Sequence, residues 1–251
     1  MNGDNITKDA FLDGAFFVLQ PASGAHRSGI DALLLSASVS QKAKGLLVAD
    51  LGAGCGVAGL AVAQRNQLTS VDLVEVDPTM VSLALRSLKL RENKHLGNRV
   101  NVISADVLAS GKDRKINKLI DNKYDHVIAN PPYNTTNFHA SDYTLKAKAH
   151  VLKSGGLEGW FKTATSILKS SGQFSVILRP DSLSTALNAL TGRMGNISVC
   201  PIHAKSGEPA SRIIITATKG SRAPFQLMSG KILHKKSACY ALWAENIFRG
   251  R

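Results

Sequence analysis

Short apolar runs alternate along most of this chain with segments whose apolar residues recur every three or four positions. Leu46–Leu51, Val71–Val76, Val100–Ser104, Tyr124–Ala129 and Gly172–Arg179 read as buried strands. Leu60–Gln64, Met80–Leu90, Gly156–Leu168 and Ser182–Leu190 read as helices, and Met80–Leu90 has the spacing of a core-facing one. Strand–helix alternation of this kind implies parallel strands joined by right-handed crossovers. Two further strands, Ile197–His203 and Arg212–Thr218, flank the polar loop Ala204–Ser211 and predict an antiparallel hairpin. The expected fold class is therefore α/β, with a mixed, mostly parallel sheet that ends in an antiparallel hairpin and carries helices on both faces. Residues 1–45 form an expected N-terminal extension packed on the core. In it, Phe11–Gln20 reads as a hairpin turning at Asp13-Gly14, and Asp31–Val39 as a cap helix. Residues 46–251 form the main domain, with a basic end at 219–251.

The ends of the strands carry the chemistry. Leu46–Leu51 runs into Gly52-Ala-Gly54-Cys-Gly56-Val-Ala-Gly59, a glycine turn between strand and helix that lets backbone approach a ligand closely. Gly54, Gly56 and Gly59 also fit the dinucleotide pattern, which alone is weak. Asp50 speaks against a pyrophosphate, which it would repel, and for a ligand with a cationic end, such as an ammonium or sulfonium. Glu75 closes the next strand, where a carboxylate can bind both hydroxyls of a ribose; its plain alternative, with Asp77, is a solvated strand end and helix cap before Pro78. Asp106 follows a third strand and fits either an adenine amino group or a helix cap.

Asn130-Pro131-Pro132-Tyr133 follows the fourth. The side-chain oxygen of Asn130 and an adjacent backbone carbonyl can accept two N–H bonds from a planar amine, freeing a lone pair otherwise delocalised into the ring. The two prolines stiffen the turn, and Tyr133 offers a stacking face. An ordinary strand-ending turn is the alternative. All four polar features fall at carboxyl ends of successive strands, where open α/β sheets bind ligands.

A formal net charge of +13 points to a polyanionic partner. Between residues 219 and 251, seven basic residues, Arg222 among them, face one acid, Glu245. Lys112–Lys118 forms another basic stretch, in the loop before the Asn130 strand, and Lys146 and Lys148 follow the Asn130 turn, placed to hold phosphates. The three cysteines, Cys55, Cys200 and Cys239, have no metal-ligand spacing, so no metal is expected. They read as reduced thiols of a cytoplasmic protein. No apolar stretch is long enough to cross a membrane and no secretory signal layout opens the chain, so no membrane partner is expected.

Asp50–Gly56 and Asn130–Tyr133 resemble the first and fourth motifs of class I S-adenosylmethionine-dependent methyltransferases, across about residues 46–180. His26–Leu35 and Lys205–Arg212 further resemble the bacterial tRNA adenine-N6 methyltransferases that act on adenosine 37 of valine tRNA. The resemblance implies a Rossmann-like seven-stranded sheet and S-adenosylmethionine as cofactor. Asp50, Gly52, Gly54 and Gly56 would line its methionine part, Glu75 its ribose and Asp106 its adenine. Gly29 and Asp31 would cap the site. Asn130, Pro131, Pro132 and Tyr133 would orient the target amine. The basic residues Lys146, Lys148, Lys205, Arg212 and Arg222 are the candidate RNA contacts, although the 219–251 end matches no motif of the family. Asn-Pro-Pro-Tyr also occurs in protein glutamine methyltransferases, and a close variant in guanine methyltransferases of ribosomal RNA. Glutamine N5 methylation, guanine-N2 methylation and a non-catalytic RNA-binding role are the competing expectations.

Overall fold

The structure, a computed structural model, describes residues 6–22, 29–41, 45–132, 156–235 and 239–251. Among the described residues its central sheet has nine strands. Those of the parallel series are β3 (Leu47–Leu51), β4 (Ser70–Glu75), β5 (Val100–Ser104), β6 (Tyr124–Ala129) and β7 (Leu168–Leu178). The hairpin is β8 (Met194–His203) with β9 (Ala210–Lys219). Two-residue strands β10 (Gln226–Leu227) and β11 (Lys231–Ile232) each pair in parallel with β8. The order is β10-β8-β9-β7-β6-β3-β4-β5, and β9 runs antiparallel to both of its neighbours. The seven strands β3–β9 form the expected sheet; the basic C-terminal segment adds the two short ones at its edge. A separate hairpin, β1 (Ile6–Phe11) and β2 (Phe16–Pro21), precedes them.

Strands buried on both faces need apolar residues of both parities, which is why their runs are continuous rather than alternating. One face buries Val48, Val71 and Ile128 against α1 (Ile30–Ser36), α2 (Val57–Arg65) and α3 (Pro78–Leu88). The other buries Ala49, Leu51, Val127 and Ala129 against α5 (Gly156–Ile167) and α6 (Leu183–Leu190). Asp77 caps α3, accepting from the amides of Thr79 and Met80 at 2.8 and 2.9 Å, with Pro78 at the first helical position. The β1–β2 hairpin is tied to the core by Asn93, which accepts from the Phe17 amide at 2.9 Å and donates to the Phe17 carbonyl at 2.6 Å.

Three differences from the sequence expectation have plain causes. Lys112–Lys118 is not all loop: Gly111–Ile116 forms α4, capped by Ser110, and Arg114 is buried. The Arg114 guanidinium donates to Thr163 and Ser166 of α5, so its charge holds two elements together rather than facing solvent. β7 starts four residues before the apolar run, because Leu168 pairs with Tyr124 ahead of a bulge. The C-terminal segment ends in α7 (Leu242–Phe248), which packs Ala244 into the α1–α3 face, and the Ile247 carbonyl accepts from Arg65.

Candidate active site

The glycine loop sits between β3 and α2. Gly54 has φ +57° with open space where a Cβ would point, a backbone that leaves room for a ligand and that a side chain would strain. Its amide donates to Glu75 Oε2 at 2.8 Å. Glu75 Oε1 accepts from the amides of Val76 and Asp77, both at 2.8 Å. Three donors occupy three of roughly four acceptor positions on a carboxylate. The room for two ribose hydroxyls expected from the sequence thus narrows to one further donor, at Oε2. Burial raises the Glu75 carboxyl above its ordinary range, outweighing the amides that favour its charge.

Asp50 lies deeper, 2% exposed, and its Oδ2 accepts from the Gly59 amide at 2.8 Å. Burial pushes its carboxyl up to about 7; the Gly59 amide opposes this and the Glu75 charge adds to it. Among the described residues no lysine, arginine or histidine forms an ion pair with Asp50 or Glu75. Two neighbouring acids held in a dry loop without a counter-ion suit a cationic ligand. Cys55, in the same loop, has its sulfur 3.3 Å from that of Met80, and burial pushes its thiol up to about 12. It is a packing residue, not a nucleophile.

Asp106 follows β5; its Oδ1 accepts from the Leu108 amide at 2.8 Å, a local turn that aims the carboxylate. Between Glu75 and this turn, Val76 is 51% exposed. It is an apolar side chain left open at the strand end, a feature that sequence reading passed over.

Asn130 is half-buried and comes one residue past Ala129, which pairs with Leu51; it is therefore level with Gly52. Pro131 is buried and Pro132 half-buried. Tyr133, Lys146 and Lys148 lie outside the described residues. From α5, Trp160 presses the far edge of its indole on Gly52, so closely that a Cβ at residue 52 would lie 2.3 Å from Cη2. Nothing in the sequence pattern marks this contact. His126 points sideways within the sheet, its Nε2 2.9 Å from Ser175 Oγ, and burial lowers its pKa to about 4. It is neutral and is not a base for the site.

Gly29 starts α1, and Asp31 in its first turn accepts from Arg212 Nε at 2.8 Å. Two residues expected to serve cofactor and RNA separately thus form one ion pair across the carboxyl edge. Lys205 is exposed on the β8–β9 hairpin at that same edge. Arg222 is not brought there. It follows β9 beside Gly195, near the start of β8, at the opposite end of the sheet from Asn130.

Among the described residues, a glycine loop with two acids free of ion pairs, a third acid and an asparagine–proline turn gather on one edge of a doubly covered sheet, the edge where open α/β sheets bind nucleotide ligands. A family model described as the methyltransferase small domain matches residues 28–202. The chain belongs to that family, and it is a methyltransferase of the S-adenosylmethionine-dependent class. Gly54's open backbone beside the remaining acceptor of Glu75 fits that cofactor's adenosine end, and the unpaired Asp50 fits its cationic end.

The chain is 35% identical to a predicted O-methyltransferase, protein Atu636 from Agrobacterium tumefaciens, with a TM-score of 0.75 over 88% of this chain and 96% of that one. It is 29% identical over 167 residues to the tRNA1(Val) (adenine(37)-N6)-methyltransferase of Flavobacteriaceae bacterium (strain 3519-10), a match spanning 64% of this chain and 63% of that protein. The protein of the same description from Histophilus somni (strain 129Pt) is 25% identical over 199 residues, 79% of each chain. Among the described residues no helix is long and apolar enough to cross a membrane.

Proposed function

We propose that the chain transfers the methyl group of S-adenosylmethionine to the exocyclic N6 amine of adenosine in structured RNA, with tRNA as substrate and adenosine 37 as target. The observation that carries the reading is the level placement of the Asn130-Pro131-Pro132 turn with Gly52. It sets Asn130 beside the glycine loop, which supports the reading that its amide oxygen meets the target amine next to the methionine end of the cofactor. The two relatives described as acting on adenine 37 supply the particular base.

Bound there, the cofactor supplies an electrophilic methyl on a sulfonium. Asp50 faces the positive end through the loop formed by Gly52, Gly54 and Gly56. Glu75 accepts from the ribose and Asp106 from the adenine amine. Gly29 and Asp31 close the site from the start of α1, and Arg212 holds Asp31 in place. Asn130 Oδ1 and a neighbouring carbonyl accept the two N–H bonds of the target amine and draw its lone pair out of the ring. Tyr133 stacks on the flipped base. Lys146, Lys148 and Lys205 take phosphates. The nitrogen loses its proton only after it has become cationic, so no strong base is required. A hydroxyl acceptor would need one. Around Asn130 the described residues offer none, with His126 closed off in the sheet.

The test is incorporation of labelled methyl from S-adenosylmethionine by the purified protein into unmodified total tRNA and, in parallel, into ribosomal RNA and a protein fraction. Label in tRNA, recovered as N6-methyladenosine, is expected. Label only in protein, or in no RNA while the cofactor still binds, overturns the reading.

A further inference from the structure

The C-terminal segment leaves β9 at Lys219 and returns along the outer edge of β8. It starts beside Gly195, at the amino end of the sheet, where the Asn196 amide donates to the Ala223 carbonyl at 3.0 Å. It reaches the carboxyl end where the Leu233 and His234 amides donate to the carbonyls of His203 and Ala204, at 2.9 and 3.0 Å. From Gly195 to His203 this edge runs about 25 Å. Six of the eleven large apolar side chains exposed among the described residues belong to the segment: Phe225, Leu227, Met228, Ile232, Tyr240 and Leu242. Leu227 is 69% exposed. Leu227 and Ile232 stand opposite Val199 and His203, positions of one parity on β8, so they face the same way. Phe225, two residues before Leu227, joins them, and its ring stacks on no other ring among the described residues.

A contiguous exposed apolar strip marks a contact surface, and its charge says with what. Arg222, Lys231 and Lys235 are exposed along it, and among the described residues no acid pairs with any of them. Lys231 lies 4.9 Å above the Trp243 ring, and Glu245, the one acid of the segment, is taken by Arg249. A second copy of this chain would set the three cations against themselves, a costly arrangement. RNA meets both halves of the pattern, with phosphates on the cations and an unstacked base on an open aromatic ring. The strip also leads to the right place. β11 pairs with Ile202 and His203, directly before Lys205 at the carboxyl edge that holds the Asn130 turn. We propose that residues 222–235 form a second RNA-binding surface, continuous with the catalytic edge at Lys205. It holds phosphates on Arg222, Lys231 and Lys235 and a base on Phe225. Arg222, remote from Asn130, thus grips the RNA far from the target nucleotide. This inference rests on the reading that the substrate is RNA.

The experiment is fluorescence anisotropy of end-labelled unmodified total tRNA over a series of salt concentrations, with two triple variants of equal charge. Arg222→Gln/Lys231→Gln/Lys235→Gln strips the proposed surface. Arg86→Gln/Lys89→Gln/Lys94→Gln removes the same charge from exposed positions on and just beyond α3, by the opposite edge of the sheet. The first triple should bind tRNA about tenfold or more weakly at physiological salt, with the slope of log affinity against log salt reduced by about 2–3. The control triple should stay within about twofold of wild type. Phe225→Ala should weaken binding about fivefold or more without changing the slope. In methyl transfer the first triple should raise KM and hold kcat within about twofold. S-adenosylhomocysteine affinity by calorimetry, unchanged in every variant, shows that the fold is kept. Equal loss in the two triples, or loss in neither, overturns the proposal while leaving the function proposed above intact. It is also overturned if sedimentation shows a wild-type dimer that Leu227→Asp splits with RNA affinity unchanged, since the strip is then a self-interface. Absence of RNA binding by wild type overturns the RNA reading itself, and this inference with it.

Discussion

The two ends of the central sheet both carry buried acids, and they treat them in opposite ways. At the amino end, Asp72 is 3% exposed and fully engaged. Its Oδ2 accepts from Lys123 Nζ at 2.7 Å and from the Tyr124 hydroxyl at 2.8 Å, and its Oδ1 accepts from Asn101 at 3.2 Å. Lys219 nearby donates to Asn122 and to the Leu168 carbonyl, at 2.9 and 2.7 Å. At the carboxyl end, Asp50 and Glu75 accept from backbone amides and, among the described residues, have no ion pair; burial raises both carboxyls, and the Glu75 charge adds to the rise at Asp50. An acid with a cation beside it is part of the fold. An acid buried next to another acid is a cost that a bound cation removes. The comparison separates structural from functional carboxylates without appeal to motif.

Substitutions should divide the same way. The largest effect is expected from Asn130→Ala, which removes the aimed acceptor. Turnover should fall by about a hundredfold or more with cofactor affinity nearly unchanged, read by single-turnover kinetics and calorimetry. Unchanged turnover would remove Asn130 from the mechanism.

Asp72→Asn and Asp50→Asn then test the two ends against each other. Asp72→Asn should lower unfolding stability by roughly 1–3 kcal/mol and leave cofactor affinity alone. Asp50→Asn should weaken the cofactor by about tenfold and leave the free protein as stable at pH 8, or more so. If both variants lose stability and neither loses affinity, the distinction between the ends collapses. The smallest effect belongs to Arg212 and Asp31, which are partly exposed. A double-mutant cycle should give a coupling of about 1 kcal/mol or less in thermal unfolding.

Most of the framework was legible because strands buried on both faces must be apolar throughout. Val100–Ser104 is read to the residue, and the other parallel strands of the glycine-loop half to within one. The four polar strand ends were legible for the same reason: polarity at the end of such a run stands out. Contacts made across the fold were not. Trp160 meets Gly52 from a distant helix, and Arg212 meets Asp31 across 181 positions. Lys112–Lys118 looked like a solvated basic loop because its pattern is charge, yet Arg114 is buried by elements that lie far along the chain. Strands as short as β10 and β11 have no period to read; their pairing is dictated by the exposed edge of β8.

On the proposed reading, the carboxyl end of the sheet keeps Asp50, free of any ion pair among the described residues, for a cationic cofactor. A pKa raised to about 7 in the folded protein means that Asp50 is mostly protonated at pH 6.5. Its contribution to stability is full below the unfolded value of about 4 and is lost as pH rises through about 7. A bound cation favours the ionised form, so cofactor affinity should fall as pH drops below about 7. The direct measurement is calorimetry of S-adenosylmethionine binding at pH 6.5 in two buffers of different ionisation enthalpy. Release of a substantial fraction of one proton, abolished in Asp50→Asn, is the expected result. Binding without proton release, or release that persists in Asp50→Asn, would contradict it.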